Sequence, residues 1–570
     1  MSESQRLSTP ADRSVTWAQF PRRVILLLVA YGLVSILITG LLRPLLAGAS
    51  AFSQSQNWEL SWRSNEPVVE LIATRTPNTL LLLSTAFGLA LLLAIIATFA
   101  GIIVHRLEQA TGPLGSALKG VGRVGCLVPA TTPVVVLALF LIYYFAFQHK
   151  LLPVGGSMSP QAAGSLSDTV QHLILPVFTL ALLPGVLAAQ ALAREMTLFQ
   201  AQPSARVWLA RLFKLLGLLL GQVGGWLTAS IVVETAFSWP GLGRLAVDAT
   251  AARDYPMLLG VLGTFAGIIL WGRLAAELFR WLESLVRIRV PTINQQATPS
   301  LWRKTARRVW VVFTLFILIA PLGLVVAGLS VDSAEVLAMD VQARNAPPSA
   351  DHPWGTDSIG RDLQARILRG GLTTLGITTL ATVIALIPAL AGGALTGFLA
   401  SRGKLWADSL ADLLLLPADM LMFIPAVAGL MVFMTIGITE GGGWFWLVLG
   451  VVVVVIPRAM RVYQTFWTAA PETRRWLVLG LFGSGALLLG VMFSGLGLVV
   501  AVDFLGLGIQ PPQPTLGGVL ADLRSFLALQ QTGLFAAGYT LVVCAAAFYL
   551  SADALAGFFH SKEPLARLNE

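Results

Sequence analysis

The sequence predicts an all-α integral membrane protein with about twelve transmembrane helices, arranged as two tandem halves of six helices. Three observations lead to this fold class. Of the 570 residues, 56% are hydrophobic and only 12% are charged, about half the charged share that is usual for soluble domains. The apolar residues form runs long enough to cross a bilayer, and features of the first half of the chain recur in the second.

The apolar runs divide into two groups of six. In the first half they lie near 24–42, 78–104, 124–147, 173–193, 212–236 and 257–279. In the second half they lie near 309–328, 371–400, 408–436, 443–462, 476–501 and 532–557. The first run is longer than the apolar core of about 7–15 residues that a signal peptide has, so we expect it to be retained as a membrane span.

Composition also predicts where one half ends and the next begins. A polar, basic stretch that contains Pro291 separates the two groups of runs and is typical of a linker. The expected segments are an N-terminal tail (1–23), a first half (24–290), a linker (291–308), a second half (309–559) and a C-terminal tail (560–570).

The basic residues predict the orientation of the chain. Lys and Arg are more frequent in the loops on the side of Met1 than in those on the other side, and cytoplasmic loops accumulate these residues. Both termini and the linker are therefore expected to be cytoplasmic. The loops expected outside are 43–77, 148–172, 237–256, 329–370, 437–442 and 502–531. A net charge of +9 indicates no nucleic-acid partner here, because the basic residues are scattered and form no single stripe.

The two halves end alike. After the fifth span of the first half come Glu234, Phe237 and a Gly-Leu-Gly at 241–243; the second half has Asp503, Phe504 and a Gly-Leu-Gly at 506–508. With an even number of spans each, the halves are expected to have the same topology and to be related by an axis along the membrane normal. A solute pathway between them is the natural consequence.

Several longer strings carry a resemblance to a known family. The first-half strings are 152–156 (LPVGG), 173–176 (LILP), 231–244 (IVVETAFSWPGLGR) and 253–256 (RDYP). They resemble the first permease subunit of the dipeptide, oligopeptide and nickel ABC importers. The second-half strings are 352–357 (HPWGTD), 360–362 (GRD) and 503–512 (DFLGLGIQPP), and they resemble the companion subunit. The resemblance extends from about Val24 to Phe559, so both permease subunits look fused in one chain.

The resemblance implies a type I ABC permease in a bacterial inner membrane that carries peptides or similar small polar solutes. Its two halves would alternate between outward and inward access, fed by an external solute-binding protein and driven by two ATPase subunits. No Gly-x-x-x-x-Gly-Lys-Ser/Thr loop is present, so ATP would be bound and hydrolysed by partner chains. The chain itself is expected to be no enzyme and to bind no cofactor and no metal, because its five histidines lack paired helical spacing.

One departure from the family pattern concerns the loops that would contact the ATPases. Family members carry a Glu-Ala-Ala signature with a following Gly on a coupling helix between the fourth and fifth spans of each half. Here the corresponding loops, 194–206 (REMTLFQAQPSAR) and 461–475 (RVYQTFWTAAPETRR), lack it. The candidate residues in these degenerate coupling loops are six charged ones, Arg194, Glu195, Arg206, Arg461, Glu472 and Arg474.

This departure leaves two further hypotheses open. The chain could be a permease-derived membrane subunit without ATP coupling that serves as a structural or assembly partner of another complex. It could also be a secondary transporter driven by an ion gradient, which would require buried carboxylates placed to bind a proton or sodium ion.

Few ionisable residues fall inside the predicted spans, and these are the candidates for a pathway or gate. Glu234 and Asp503, at the outer ends of the fifth and eleventh spans, either line an external gate or hold the Gly-Leu-Gly turns by binding backbone amides. Asp412 and Asp419 either face the pathway or, for Asp419, satisfy backbone groups freed at Pro417. Arg273 and Glu277 have the i,i+4 spacing of a structural ion pair.

Overall fold

A computed structural model describes most of the chain. The described residues are 10–42, 57–111, 128–159, 165–193, 205–286, 312–314, 316–402, 405–440, 442–469, 483–527 and 531–557. The predicted linker (291–308) and the C-terminal tail (560–570) lie outside them. Within the described ranges the protein is built from helices, so the predicted all-α membrane fold is confirmed.

The helices of the first half follow the order of the predicted spans. They are α1 (Pro10–Ile36, continued as a π-helix over Leu37–Leu42), α2 (Val68–Thr111), α3 (Val134–Leu141, continued as a π-helix over Ile142–Gln148), α4 (Leu166–Ala193), α5 (Ala205–Gly221), α6 (Val223–Ala236), α7 (Leu242–Ala251) and α8 (Tyr255–Val286). The first helix begins at Pro10, inside the segment predicted to be a tail.

The helices of the second half repeat this order. They are α9 (Ile319–Ser330), α10 (Ser333–Leu337), α11 (Leu363–Ala400), α12 (Leu405–Leu421), α13 (Ala426–Glu440), α14 (Gly443–Ala469), α15 (Ser484–Phe504), α16 (Leu516–Arg524) and α17 (Gln531–Gly557). In both halves a short helix, α7 or α16, lies between the fifth and sixth spans.

Each predicted span overlaps a helix of the structure. Among the described residues, nine helices are long and apolar enough to cross a membrane, and two bent helix pairs bring the number to eleven. The third predicted span corresponds to the shorter apolar helix Val134–Gln148. The chain is therefore a multi-pass membrane protein.

Two spans that the sequence predicts as continuous are broken. The span 212–236 bends by 53° between α5 and α6, and the span 408–436 bends by 70° between α12 and α13. The second break directly precedes Pro425, which lacks an N–H and disfavours helical backbone in the residue before it. Such breaks free backbone groups that need partners from neighbouring helices.

The two halves pack in the same pattern. The second span packs most extensively on the fourth, as α2 on α4 and α11 on α14, and the fifth packs on the sixth, as α5 on α8 and α15 on α17. Across the interface, the third span of each half contacts the fifth span of the other, as α3 with α15 and α13 with α6. This reciprocal contact is what parallel repeats about a two-fold axis produce.

Close approach of α11 and α14 depends on glycine. A Cβ atom at Gly393 would lie 2.8 Å from the carbonyl oxygen of Met460 and 2.9 Å from Cβ of Tyr463, whereas one at Gly376 on the same helix would meet nothing within 4 Å. Small residues let membrane helices approach until their backbones touch.

We expect Gly393→Ala to destabilise the protein by about 1–3 kcal/mol, because the added methyl group overpacks a rigid backbone contact. Gly376→Ala is the matched control and should be neutral or stabilising, since alanine favours helix. Thermal unfolding of both variants in the same detergent measures the difference. Equal melting temperatures for the two variants would contradict the packing described here.

Candidate functional site

The carboxylate of Glu234 anchors the return of the chain after α6. The residue is fully buried; its Oε1 accepts a hydrogen bond from the Thr79 hydroxyl (2.9 Å), and its Oε2 accepts one from the N–H of Arg244 (3.0 Å). The Thr79 oxygen in turn accepts from the N–H of Leu242 (2.7 Å). Glu234 and Thr79 therefore satisfy amides at the N-terminus of α7, which have no partner within that helix.

The Gly-Leu-Gly string makes room for this carboxylate. A Cβ at Gly241 would collide with the carboxyl group of Glu234, and a Cβ at Gly243 would lie 2.6 Å from Cα of Ile231. The structure thus supports the backbone-binding alternative for Glu234: its carboxylate is enclosed by the turn and holds it.

The second half repeats this arrangement with different residues. Asp503 is buried at the end of α15, and its Oδ1 accepts from the N–H of Ile509 (3.1 Å). The first amide of α16, on Leu516, donates to the hydroxyl of Thr374 (3.0 Å). Thr515 caps the same helix by accepting from the N–H of Gly518 (3.1 Å). A Cβ at Gly508 would collide with the Asp503 carboxylate.

Thr79 on α2 and Thr374 on α11 are therefore equivalent, and each ties a short helix to the second span of its own half. Sequence reasoning did not assign either threonine a role. A signal was available, because Thr79-Leu80 and Thr374-Leu375 occupy matching places at the start of the second apolar run in each half.

Two aspartates hold the segments that precede the second spans. Asp254 accepts from the N–H of Trp62 (3.1 Å) and from the hydroxyl of Ser61, and it thereby joins the start of α8 to the segment before α2. In the second half, Asp357 accepts from Arg361 Nε (2.7 Å) and Arg366 Nη1 (2.5 Å). Asp254 of the string RDYP and Arg361 of the string GRD thus hold these segments in place.

Hydrogen bonds and charge keep Asp357 ionised. Burial by itself would raise the pKa of the Asp357 carboxyl. Two kinds of partner outweigh that effect: the backbone N–H groups of Arg361 and Ile359, and the guanidiniums of Arg366 and Arg361. The pKa of Asp357 therefore lies below its ordinary value. Arg366 also binds Asp522 on α16 through Nη2 (2.8 Å). This network connects α16 to the start of α11.

Asp412 and Asp419 both have arginine partners. Asp412 on α12 binds Arg22 on α1 (2.5 Å between Oδ2 and Nη2), which links the two halves. Asp419 accepts from Arg461 Nε (3.1 Å) and also from its Nη2, so it binds a side chain and not the backbone groups near Pro417.

Arg461 is one of the predicted coupling-loop residues. Of the others, Arg206 is exposed at the start of α5. Arg194, Glu195, Glu472 and Arg474 lie outside the described residues.

The predicted Arg273–Glu277 pairing is wrong, because each residue takes another partner. Glu277 binds Arg280 (2.8 Å). Arg273 donates to the carbonyl oxygen of Met422 (3.0 Å) and places its guanidinium 4.8 Å from the ring centre of Phe423. That carbonyl belongs to the break between α12 and α13, so Arg273 of the first half satisfies a backbone group that the bend frees in the second.

A second freed group at this break is satisfied in the same way. The N–H of Ala426, the first residue of α13, donates to the hydroxyl of Thr228 on α6 (2.9 Å). The contact between α6 and α13 therefore includes a hydrogen bond at the break, and it depends on a bend that the hydropathy pattern alone did not predict.

The N–H of Leu242 bonded to Thr79 and the N–H of Leu516 bonded to Thr374 hold the two short helices, and we call these two hydrogen bonds the latches. The Thr79→Val and Thr374→Val variants test them. We expect both to lower stability, because each leaves a backbone N–H without its acceptor, at about 1–3 kcal/mol per unsatisfied buried group. Thr79→Val should be the more severe, since Glu234 also loses a donor. Thr85→Val is the control, because that hydroxyl donates to carbonyls of its own helix. If thermal unfolding gives Thr79→Val the same melting temperature as Thr85→Val, the latch is refuted.

Comparison with known proteins supplies the family. No family model matches the chain. A putative peptide permease protein of Brucella suis is 29% identical over 216 residues, which cover 35% of this chain and 64% of that protein. The oligopeptide transport system permease protein AppB of Bacillus subtilis is 29% identical over 236 residues, covering 38% of this chain and 71% of that protein.

A second putative peptide permease protein of Brucella suis is 30% identical over 254 residues, which cover 40% of this chain and 79% of that protein. The chain thus spans less than two thirds of the first of these relatives (64%) and 71% and 79% of the other two, and each alignment covers less than half of the chain. Such coverage is consistent with a fused permease, and the resemblance drawn from the sequence strings is confirmed. The chain belongs to the family of peptide permease proteins.

Proposed function

We propose that this chain is the fused membrane permease of an ABC-type importer for peptides or similar small polar solutes, with a pathway between its two halves. The observation that carries the proposal is the reciprocal packing of the third span of each half on the fifth span of the other. We call the interface between the two halves the seam, and in this proposal each half moves as one body. Rocking about that seam would open it to one side of the membrane at a time.

The latches support this mechanism. Because Thr79 and Thr374 tie each short helix to its own half, α7 and α16 would move with their halves and part from each other when the outer side opens. In this proposal the termini are cytoplasmic, the membrane is the bacterial inner membrane, the solute arrives on an external binding protein, and two partner ATPases supply the energy.

The structural-subunit hypothesis keeps one observation in its favour, which is the missing coupling signature in 194–206 and 461–475. The secondary-transporter hypothesis loses support, because Asp412 and Asp419 are each bound by an arginine. A carboxylate that is neutralised in this way is a poor site for a transported cation.

Purification of the tagged full chain in mild detergent separates the two remaining hypotheses. We expect an ATPase to be recovered in stoichiometric amount, with vanadate-sensitive ATP hydrolysis in the eluate. Mass spectrometry identifies the partners, and a parallel purification of an unrelated tagged membrane protein is the control. Recovery of a different membrane assembly without an ATPase would reject the importer and favour the structural role.

A crosslink across the seam tests movement of the halves. Cβ of residue 538 on α17 would lie 3.1 Å from Val136 Cγ1 on α3, so a Val136→Cys, Gly538→Cys pair in a chain lacking Cys126 and Cys544 is suited to a disulfide. We expect oxidation to stop peptide uptake and reduction to restore it. A Phe433→Cys, Gly450→Cys pair within the second half is the control and should leave uptake unchanged. Full uptake by the oxidised inter-half pair would contradict rocking.

A further inference from the structure

A cavity lies where the two halves meet, at the end of the bundle that the sequence predicts to be external. Its volume is about 360 Å³, within the range of small-ligand pockets. Most of the wall comes from the first half, and Arg524 and Leu527 come from the second. The lining residues are Ile142, Phe147, Val154, Gly155, Gly156, Ala236, Ser238, Arg524 and Leu527.

Two guanidinium groups from different halves converge on one serine beside this cavity. Arg524, the last residue of α16, donates from Nη2 to the hydroxyl of Ser238 (3.0 Å). Arg244 on α7 donates from Nη1 to the carbonyl oxygen of the same serine (2.8 Å). Ser238 lies in the left-handed region (φ 54°), in the turn that Glu234 holds. The turn therefore fixes the position at which the two arginines meet.

Neither guanidinium is neutralised within the part of the chain that the structure describes. Among those residues, no carboxylate oxygen lies within 4 Å of a guanidinium nitrogen of Arg244 or Arg524; the Glu234 carboxylate accepts only from the backbone N–H of Arg244. The nearby acid on α16, Asp522, binds Arg361 and Arg366 instead. Arg244 itself lines a separate cavity of about 260 Å³ together with Arg75 and Asp248, and its bond to the carbonyl oxygen of Ser238 connects it to the first cavity.

The electrostatics of this pair are unfavourable without an anion. Burial, and to a smaller degree the charge of Arg244, lowers the pKa of the Arg524 guanidinium, yet arginine remains charged in proteins. Two half-buried positive charges that face neutral oxygens repel each other. An anion placed between them would relieve that repulsion and accept the remaining N–H donors.

We propose that this cavity is a carboxylate-binding subsite on the solute pathway, with Arg524 as its main anchor and Arg244 and Ser238 beside it. Arginine binds carboxylates through paired charge-assisted hydrogen bonds, and a serine hydroxyl accepts from one group while it donates to another. The subsite takes the free carboxylate of a short peptide or of a similar small acid. This inference rests on the proposed transport function and specifies its substrate class.

The location gives the subsite a second consequence. A carboxylate bound by Arg524 of the second half, in a cavity whose wall comes mostly from the first half, bridges the seam, so its affinity depends on the separation of the halves. Binding would favour the closed arrangement of this end, and opening would release the solute.

Tri-alanine and its C-terminal amide, both radiolabelled, are the probes, since they differ in the carboxylate alone. Binding to the purified full chain in detergent is measured first, because it needs no ATPase. We expect wild-type protein to bind the acid more tightly than the amide, and Arg524→Gln to weaken acid binding about tenfold, with amide binding unchanged. Arg524→Lys should retain part of the preference.

Two further variants separate this role from a structural one. Arg63→Gln removes an exposed positive charge on the same predicted side and should leave both affinities unchanged. Ser238→Ala removes the hydroxyl beside the carboxylate and its hydrogen bond to Arg524 while keeping both charges, so it should reduce the preference for the acid by less than Arg524→Gln does. If Arg524→Gln weakens the acid and the amide equally, or leaves the preference intact, the subsite is refuted.

Uptake of the same probes by cells that express each variant distinguishes failure of the subsite from failure of transport. Loss of acid uptake in Arg524→Gln, with amide uptake retained, supports the subsite on a working pathway. Equal uptake of the acid by wild type and Arg524→Gln refutes it while transport stands. Selective binding without any chain-dependent uptake would instead support the subsite and reject the importer function.

Discussion

The arrangement at the predicted outer end depends on the need to satisfy backbone amides where α7 and α16 begin. A helix N-terminus presents N–H groups without partners inside the helix, and such groups are expensive to leave unpaired beside a membrane. The hydroxyls of Thr79 and Thr374 accept the first of them in each half. Because these threonines lie on α2 and α11, the short helices are held to the longest helices of the structure.

The position of other residues follows from that constraint. Glu234 binds both Thr79 and the amide of Arg244, so the turn that carries Ser238 has one place relative to α2. In the second half, Asp357 and Arg366 connect α16 to α11, which brings Arg524 to Ser238. At this end, the seam between the halves is thus formed by two short helices, α7 and α16, that are each held in place by their own half.

The same seam is polar where α12 and α13 are broken. Arg273 and Thr228 of the first half satisfy the carbonyl of Met422 and the N–H of Ala426 in the second. Both contacts could be exchanged for others if the halves rocked, since they involve single side chains on rigid helices. The acids near this break, Asp412 and Asp419, are bound by arginines. At the predicted outer end, the guanidiniums of Arg244 and Arg524 have no carboxylate partner among the described residues, and in our proposal an anionic group on the solute takes that place.

From the sequence alone, hydropathy predicted the order and approximate limits of the spans, because the preference of a 20-residue segment for lipid is a local property of its side chains. The repeated acid and Gly-Leu-Gly strings also located both turns correctly. Only the tertiary structure decided which groups those turns bind. Thr79 and Leu242 are 163 positions apart, and Ser238 and Arg524 are 286 apart, so no local pattern predicts their contact. The partners of Arg273 and the bends of two spans were missed for the same physical reason: a charge or a freed backbone group in a membrane takes the partner that packing brings within reach.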